Sequence, residues 1–268
     1  MSQKFIGVFD SGLGGLTCVK ELMEIMPDEP IVYFGDTGRV PYGSKSNETI
    51  IKYVKSDIKF LHTFDLKMII VACGTASAIA LPVLCDEQTV PIFGVVDAAA
   101  KDAVKSTKNQ KIGIIGTAGS IRSGAYEEKI KQLNPEIKTI ARACPLFVPL
   151  VEEGYTKGEI ARLVAEEYLR ELKDAGVDTL ILGCTHYPLL KETISYVMGE
   201  NVTLIDPGKV TASYVKDYLD KNNMLSEEQG EYKFFVSDYP DGFMRLAQDF
   251  LQRKIDSRIE KIDIEKYV

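Results

Sequence analysis

The chain has 268 residues, a net charge of −7 and an apolar fraction of 45%. That length can bury a substantial core, as one large α/β domain or as two lobes. The acidic balance and the lack of a long basic run argue against nucleic acid as a required partner, and Lys or Asp interrupts every apolar stretch before it reaches membrane-spanning length.

Residues 4–9 read as a strand with no charged-then-apolar leader before it, so no signal peptide is expected. A glycine-rich turn follows, Asp10-Ser11-Gly12-Leu13-Gly14-Gly15, and then a helix over 16–26. A strand is expected over 31–34, then the loop Gly35-Asp36-Thr37-Gly38-Arg39-Val40-Pro41-Tyr42-Gly43 and a helix over 47–64 capped by Asn47. The apolar run 67–72 leads into Cys73-Gly74-Thr75, a helix to Leu84 and a strand over 92–96, with Asp97 as the next N-cap. The pattern then restarts. Strands are expected over 111–115 and 137–141, and Thr156-x-x-Glu159 reads as a capping box for a helix ending near Ala175-Gly176. The run Thr179-Leu180-Ile181-Leu182 reads as a buried strand ending in Gly183-Cys184-Thr185-His186-Tyr187-Pro188. A strand over 202–205, a helix from Asp206-Pro207, a strand over 232–236, a helix over 241–252 and strand-like alternation over 261–264 complete the chain. Alternating strands and helices imply parallel sheets with right-handed crossovers.

The restart has a fixed spacing. Ile6 and Ile112 open matched runs, as do Ile31 and Ile137, both 106 residues apart, and Cys73 and Cys184 are 111 apart. The expected fold is therefore α/β with two pseudo-symmetric lobes, each a parallel sheet flanked by helices, and an active site in the cleft between them. Residues 1–96 plus 208–268 would form the lobe carrying Cys73, and residues 97–207 the lobe carrying Cys184.

Ligands of open α/β sheets bind outside the carboxyl ends of the strands, which is where both cysteines fall. Two thiols facing each other across a cleft suit inversion of a carbon centre. One removes a proton and the other returns one to the opposite face, which is racemisation or epimerisation. A thiol serves as base only if its thiolate is accessible. His186 is placed to assist Cys184, and Asp10 to orient the group beside Cys73. The five cysteines, at 18, 73, 85, 144 and 184, are odd in number and dispersed, which points to a reducing, cytoplasmic compartment. With two histidines and no Cys-x-x-Cys or His-Glu-x-x-His, no metal is expected. Cys18, Cys85, Cys144 and His62 read as structural. The Gly12-x-Gly14-Gly15 turn is a poor dinucleotide fingerprint, because Thr17 stands where the third glycine would fall.

Four motifs, in order, resemble those of glutamate racemases of the aspartate/glutamate racemase family: Phe9-Asp10-Ser11-Gly12-Leu13-Gly14-Gly15-Leu16, Gly35-Asp36 through Pro41-Tyr42-Gly43, Ala72-Cys73-x-Thr75-Ala76, and Gly183-Cys184-Thr185-His186-Tyr187-Pro188. The resemblance runs over nearly the whole chain. It implies two α/β lobes, no cofactor, a homodimer, interconversion of L- and D-glutamate, and supply of D-glutamate to bacterial peptidoglycan synthesis. By position it implies Cys73 and Cys184 as the two acid/bases. Asp10, Ser11, Tyr42, Gly43, Gly74, Thr75, Thr185 and His186 would bind substrate, with Asp10, Glu152 and His186 orienting or relaying protons. One departure is Gly74, where the family pattern has Asn, and restoring Asn is expected to raise turnover if its side chain is missing from the site. Aspartate racemisation, and a glutamate-binding protein with reduced catalysis, are the alternatives.

Overall fold

The structure, a computed structural model, describes residues 4–239, 243–254 and 258–268. Ten strands are found among these residues: β1 (Phe5–Asp10), β2 (Ile31–Gly35), β3 (Leu66–Val71), β4 (Ile92–Gly94), β5 (Lys111–Gly116), β6 (Lys138–Ala143), β7 (Thr179–Gly183), β8 (Thr203–Ile205), β9 (Tyr232–Val236) and β10 (Ile259–Lys261). They form two wholly parallel sheets, ordered β10-β9-β2-β1-β3-β4 and β6-β5-β7-β8. The second order repeats the β2-β1-β3-β4 part of the first.

Parallel strands covered on both faces read as continuous apolar runs. Successive side chains of β1 alternate accordingly. Ile6 and Val8 join the core under the Leu16–Ile25 helix with Leu16, Val19 and Leu22, whereas Phe9 joins the opposite core with Ile50, Val54 and Ile58 of the Asn47–Leu61 helix. Both cores include strand residues of both sheets, Leu180 and Leu182 in the first and Ile112 and Ile114 in the second. The Pro207–Lys221 helix packs on the Leu16–Ile25 and Val95–Ser106 helices and so bridges the two halves.

Several element ends differ from those expected. Ser46, not Asn47, caps its helix, because its Oγ accepts the Thr49 N–H at 3.3 Å from an extended backbone. β4 stops at Gly94 and the next helix opens at Val95, so Asp97 lies in the first turn instead of capping it. The cap comes from another helix, since the Val96 N–H donates to Ser77 Oγ at 3.4 Å. Thr156 does not cap the Glu159–Asp174 helix. Gly158, at φ +89°, turns the chain there, and the Thr156 carbonyl accepts from Thr193 Oγ1 instead. The last strand is Ile259–Lys261, and residues 264–267 form a 3₁₀ turn capped by Asp263. The last α-helix is Phe243–Leu251, and the expected start at Asp241 lies outside the described residues.

At the amino ends of the strands a buried ion pair ties the first sheet to the loop before β9. Lys67 Nζ lies 2.7 Å from Glu29 Oε2 and also donates to the Met224 carbonyl, while the Ser226 N–H donates to Glu29 Oε1 at 2.7 Å. Ser226 is thus an anchor of this loop. Removing one member leaves a buried charge without its partner. Glu29→Ala is expected to destabilise the protein by about 3–5 kcal/mol, and adding Lys67→Met to recover much of that loss. Urea midpoints of the single and double variants check both.

Candidate active site

The strand register puts the two cysteines in equivalent places. Met68 of β3 lies opposite Ile6 of β1, and Thr179 of β7 opposite Ile112 of β5; each cysteine follows five residues later. Beyond β3 the Ala72 N–H still donates to the Phe9 carbonyl, and Cys73 then turns the chain into the Gly74–Ile79 helix, its sulfur accepting the Ala76 N–H at 3.4 Å. Cys184 follows β7 directly, and its carbonyl accepts from the Tyr187 N–H to close the turn.

The surroundings of the two sulfurs differ. Cys73 Sγ is 3.4 Å from Ser11 Oγ. Burial first, and then the Asp10 charge, push its thiol up to about 12 against the hydrogen bond from Ser11. Cys184 Sγ lies 3.9 Å from His186 Nδ1, and His186 Nε2 is 3.1 Å from Glu152 Oε1. Burial pulls the imidazole pKa down, but its hydrogen bonds to Cys184 and Glu152 outweigh that and raise it to about 10. The ring of Phe250 packs on the imidazole nearly at right angles, centroids 4.9 Å apart.

Asp10 joins the halves. Its Oδ2 accepts the Gly12 N–H at 3.0 Å and its Oδ1 accepts from Thr185 Oγ1 at 3.4 Å. Burial raises its pKa, and the charge of His186 and the backbone donors Gly12 and Gly15 oppose that rise. The glycine-rich turn therefore accommodates the second strand tip. A Cβ on Gly14 would overlap Thr185 and come within 2.7 Å of His186 Nδ1.

A second contact across the sheets joins Thr75 to two residues that the sequence did not mark, Thr117 and Ser120. Thr75 Oγ1 is 2.9 Å from Thr117 Oγ1 and 3.1 Å from Ser120 Oγ, and the latter two are 3.0 Å apart. Each hydroxyl can donate to one neighbour and accept from the other. The internal repeat carried a signal for Thr117, because it stands 106 residues after Ser11. Gly43 sits against this group: its Cβ would be 2.7 Å from Thr117 Cβ, and the Gly43 carbonyl would be 2.9 Å from a Cβ on Gly119. The Tyr42 side chain is buried away from the triad, with its hydroxyl on Asp36 and Asp57. The remaining cysteines stand apart. Cys18 packs under Gly208, the Cys144 carbonyl accepts from Tyr187, and Cys85 is half-buried. His62 caps the end of its helix and meets Gln88. Among the described residues no cluster of His, Cys, Asp and Glu has the form of a metal site, and no helix is long and apolar enough to cross a membrane.

Two parallel sheets flanked by helices, each with a cysteine just beyond an equivalent strand, form the α/β fold of an amino-acid isomerase. The Asp/Glu/hydantoin racemase family matches residues 17–215. The chain is 49% identical over 257 residues to glutamate racemase of Geobacter metallireducens, covering 95% of each chain, and 44% identical over the whole of both chains to that of Thermoanaerobacter pseudethanolicus. The crystal structure of glutamate racemase from Francisella tularensis in complex with D-glutamate superposes with a TM-score of 0.93 at 40% identity over all of both chains. The chain belongs to this racemase family, and within it to the glutamate racemases.

Two outcomes follow from the geometry. The raised His186 pKa stabilises the fold fully below the unfolded value of 6.5, and that contribution is lost as pH rises through about 10. Urea midpoints should fall between those limits, and His186→Gln should flatten the fall. At position 74 the geometry reverses the expectation from sequence. A Cβ there would be 2.5 Å from the Gly183 carbonyl oxygen, and the cavity behind Cys184 that Gly74 and Gly183 line holds only about 10 Å³, room for about one water. Gly74→Asn must force the strand tips apart. It is expected to cost about 1–3 kcal/mol of stability and to lower kcat/KM by about tenfold or more, measured by thermal melts and steady-state kinetics.

Proposed function

We propose that the protein interconverts L- and D-glutamate by a two-base reaction in which Cys73 and Cys184 face opposite sides of the substrate Cα, with no cofactor. The observation that carries this reading is the pair of thiols at register-equivalent strand tips. In one direction a thiolate takes the Cα proton, forming S–H while the C–H electron pair passes to Cα and its carboxylate. The opposite thiol then gives its proton to the other face, forming the new C–H bond. The roles swap in reverse. Cys73 is held as a thiol at neutral pH, which suits it to start as the acid. Cys184 then starts as the base, with His186 and Glu152 placed to take up and return its proton.

Substrate carboxylates would be held by the Gly43 backbone N–H and the hydroxyls of Ser11, Thr75, Thr117 and Thr185, with Asp10 orienting Thr185. Positioned proton transfer contributes on the order of 10² to 10⁴-fold, and stabilisation of the carbanionic intermediate by fixed dipoles must supply the rest. The glutamate assignment is supported by the relatives and by the D-glutamate complex of the Francisella protein. The product would feed bacterial peptidoglycan synthesis from the cytoplasm, in keeping with five free thiols.

The test is proton exchange in D₂O with each enantiomer, alongside optical rotation. Wild-type protein is expected to exchange the Cα–H of both and to abolish their optical activity. Cys73→Ala and Cys184→Ala are each expected to lose racemisation by at least about 10²-fold, while each can still exchange one enantiomer. Racemisation retained by either variant would sink the two-base mechanism. Binding without exchange in the wild type would point to a glutamate-binding protein, and faster turnover of aspartate would change the substrate.

A further inference from the structure

The turn that presents Gly43 hangs from a buried cluster of four side chains. Asp36 and Asp57 are fully buried, Asp36 at the end of β2 and Asp57 on the Asn47–Leu61 helix. Arg39 spans them, with Nε 2.7 Å from Asp36 Oδ2 and Nη2 2.8 Å from Asp57 Oδ1. The guanidinium also lies over the Tyr53 ring, 4.3 Å from its centroid. The Tyr42 hydroxyl fills the gap between the two carboxyls, touching Asp36 Oδ2 and lying 2.8 Å from Asp57 Oδ2. Among the described residues the other charged group that meets the cluster is the exposed Glu265, 3.7 Å from Arg39 Nη1.

These contacts do not close with both carboxyls ionised. A phenol has one proton and can donate to only one of two carboxylates. The second oxygen-to-oxygen contact needs a proton of its own, and a carboxyl must carry it. Asp36 already accepts from Arg39 and, through Oδ1, from Ser237 Oγ at 2.8 Å, whereas among the described residues Asp57 has only Arg39 besides the tyrosine. The better-supplied carboxyl keeps the charge. Charge balance agrees, because one guanidinium then faces one buried carboxylate instead of two.

We infer that Asp57 is a protonated carboxylic acid which donates to Tyr42, that Tyr42 in turn donates to the Asp36 carboxylate, and that this chain is a positioning device for the Gly43 turn. Burial and the Asp36 charge push the Asp57 pKa well up, against the opposing pull of Arg39, in the same direction. The device reaches the strand tips at two points. The Asp36 N–H donates to the Asp10 carbonyl at 3.0 Å, and the residue after Tyr42 packs directly on Thr117. Tyr42 therefore serves substrate through the backbone it anchors, while its hydroxyl stays in the cluster. This positioning role rests on the racemase reading above; the proton on Asp57 does not.

The test separates the two. Infrared spectra of protein labelled with ¹³C-carboxyl aspartate, taken without substrate at neutral pH, should show a protonated-carboxyl C=O band that shifts in D₂O and vanishes in Asp57→Asn. Absence of the band, or its survival in Asp57→Asn, overturns the proton assignment. In kinetics, Asp57→Asn keeps a donor toward Tyr42 and is expected to hold KM within about 3-fold, while Asp57→Ala raises KM about tenfold with a smaller change in kcat. Equal KM in Asp57→Ala and wild type overturns the positioning role, and so does an equal loss in both variants. If the wild-type protein binds glutamate without racemising it, Kd replaces KM and the infrared band still decides the proton.

Discussion

A buried carboxylate, Asp10, is a central tie between the two halves of the molecule. Removing it from water is costly, and the cost is offset by the Gly12 amide, the Thr185 hydroxyl and the charge on His186. Those partners come from both sheets. One group thus sets the shape of the glycine-rich turn, the position of the second strand tip and the field at Cys73. Gly14 has no room for a side chain for the same reason. The turn resembles a phosphate loop in composition, but in this chain its glycines admit a protein neighbour.

Sequence and structure agree best where periodicity and burial decide the outcome. Strands covered on both faces need unbroken apolar runs, so β3 and β7 and the cysteines beyond them could be read directly, and the 111-residue spacing of the cysteines matches the strand register. The Ile31–Ile137 match is less faithful: Ile31 lies opposite Ile6, but Thr139, two residues after Ile137, lies opposite Ile112. Helix starts were misread where the cap comes from another part of the chain, as Ser77 does for Val96. The Thr75–Thr117–Ser120 triad was hidden for a related reason. Hydroxyls are common, and only the packing of two sheets reveals which of them meet. Tyr42 stands in a motif legible in the sequence, yet sequence could not tell that its hydroxyl faces inward, onto Asp36 and Asp57.

Position 74 shows how local chemistry and tertiary spacing compete. Considered alone, a glycine in place of an amide side chain loses a hydrogen-bonding group. In the fold, the same glycine lets the Gly183 carbonyl approach until no Cβ would fit. The two strand tips are correspondingly close, with Gly74 and Gly183 lining the same small cavity. The residue that lacks an amide side chain thus permits a close backbone approach between the sheets.

The unlike neighbours of the two sulfurs, a hydroxyl for Cys73 and an imidazole backed by a carboxylate for Cys184, have a kinetic consequence. The proposed reaction joins mirror images, whose free energies are equal in water, so its equilibrium constant is unity. Microscopic reversibility then requires equal kcat/KM in the two directions, however different the two acid/base groups are. The asymmetry built around the thiols can surface only in how each direction divides that common ratio between saturation and turnover. An enantiomer that is held more tightly must also be turned over more slowly, in the same proportion.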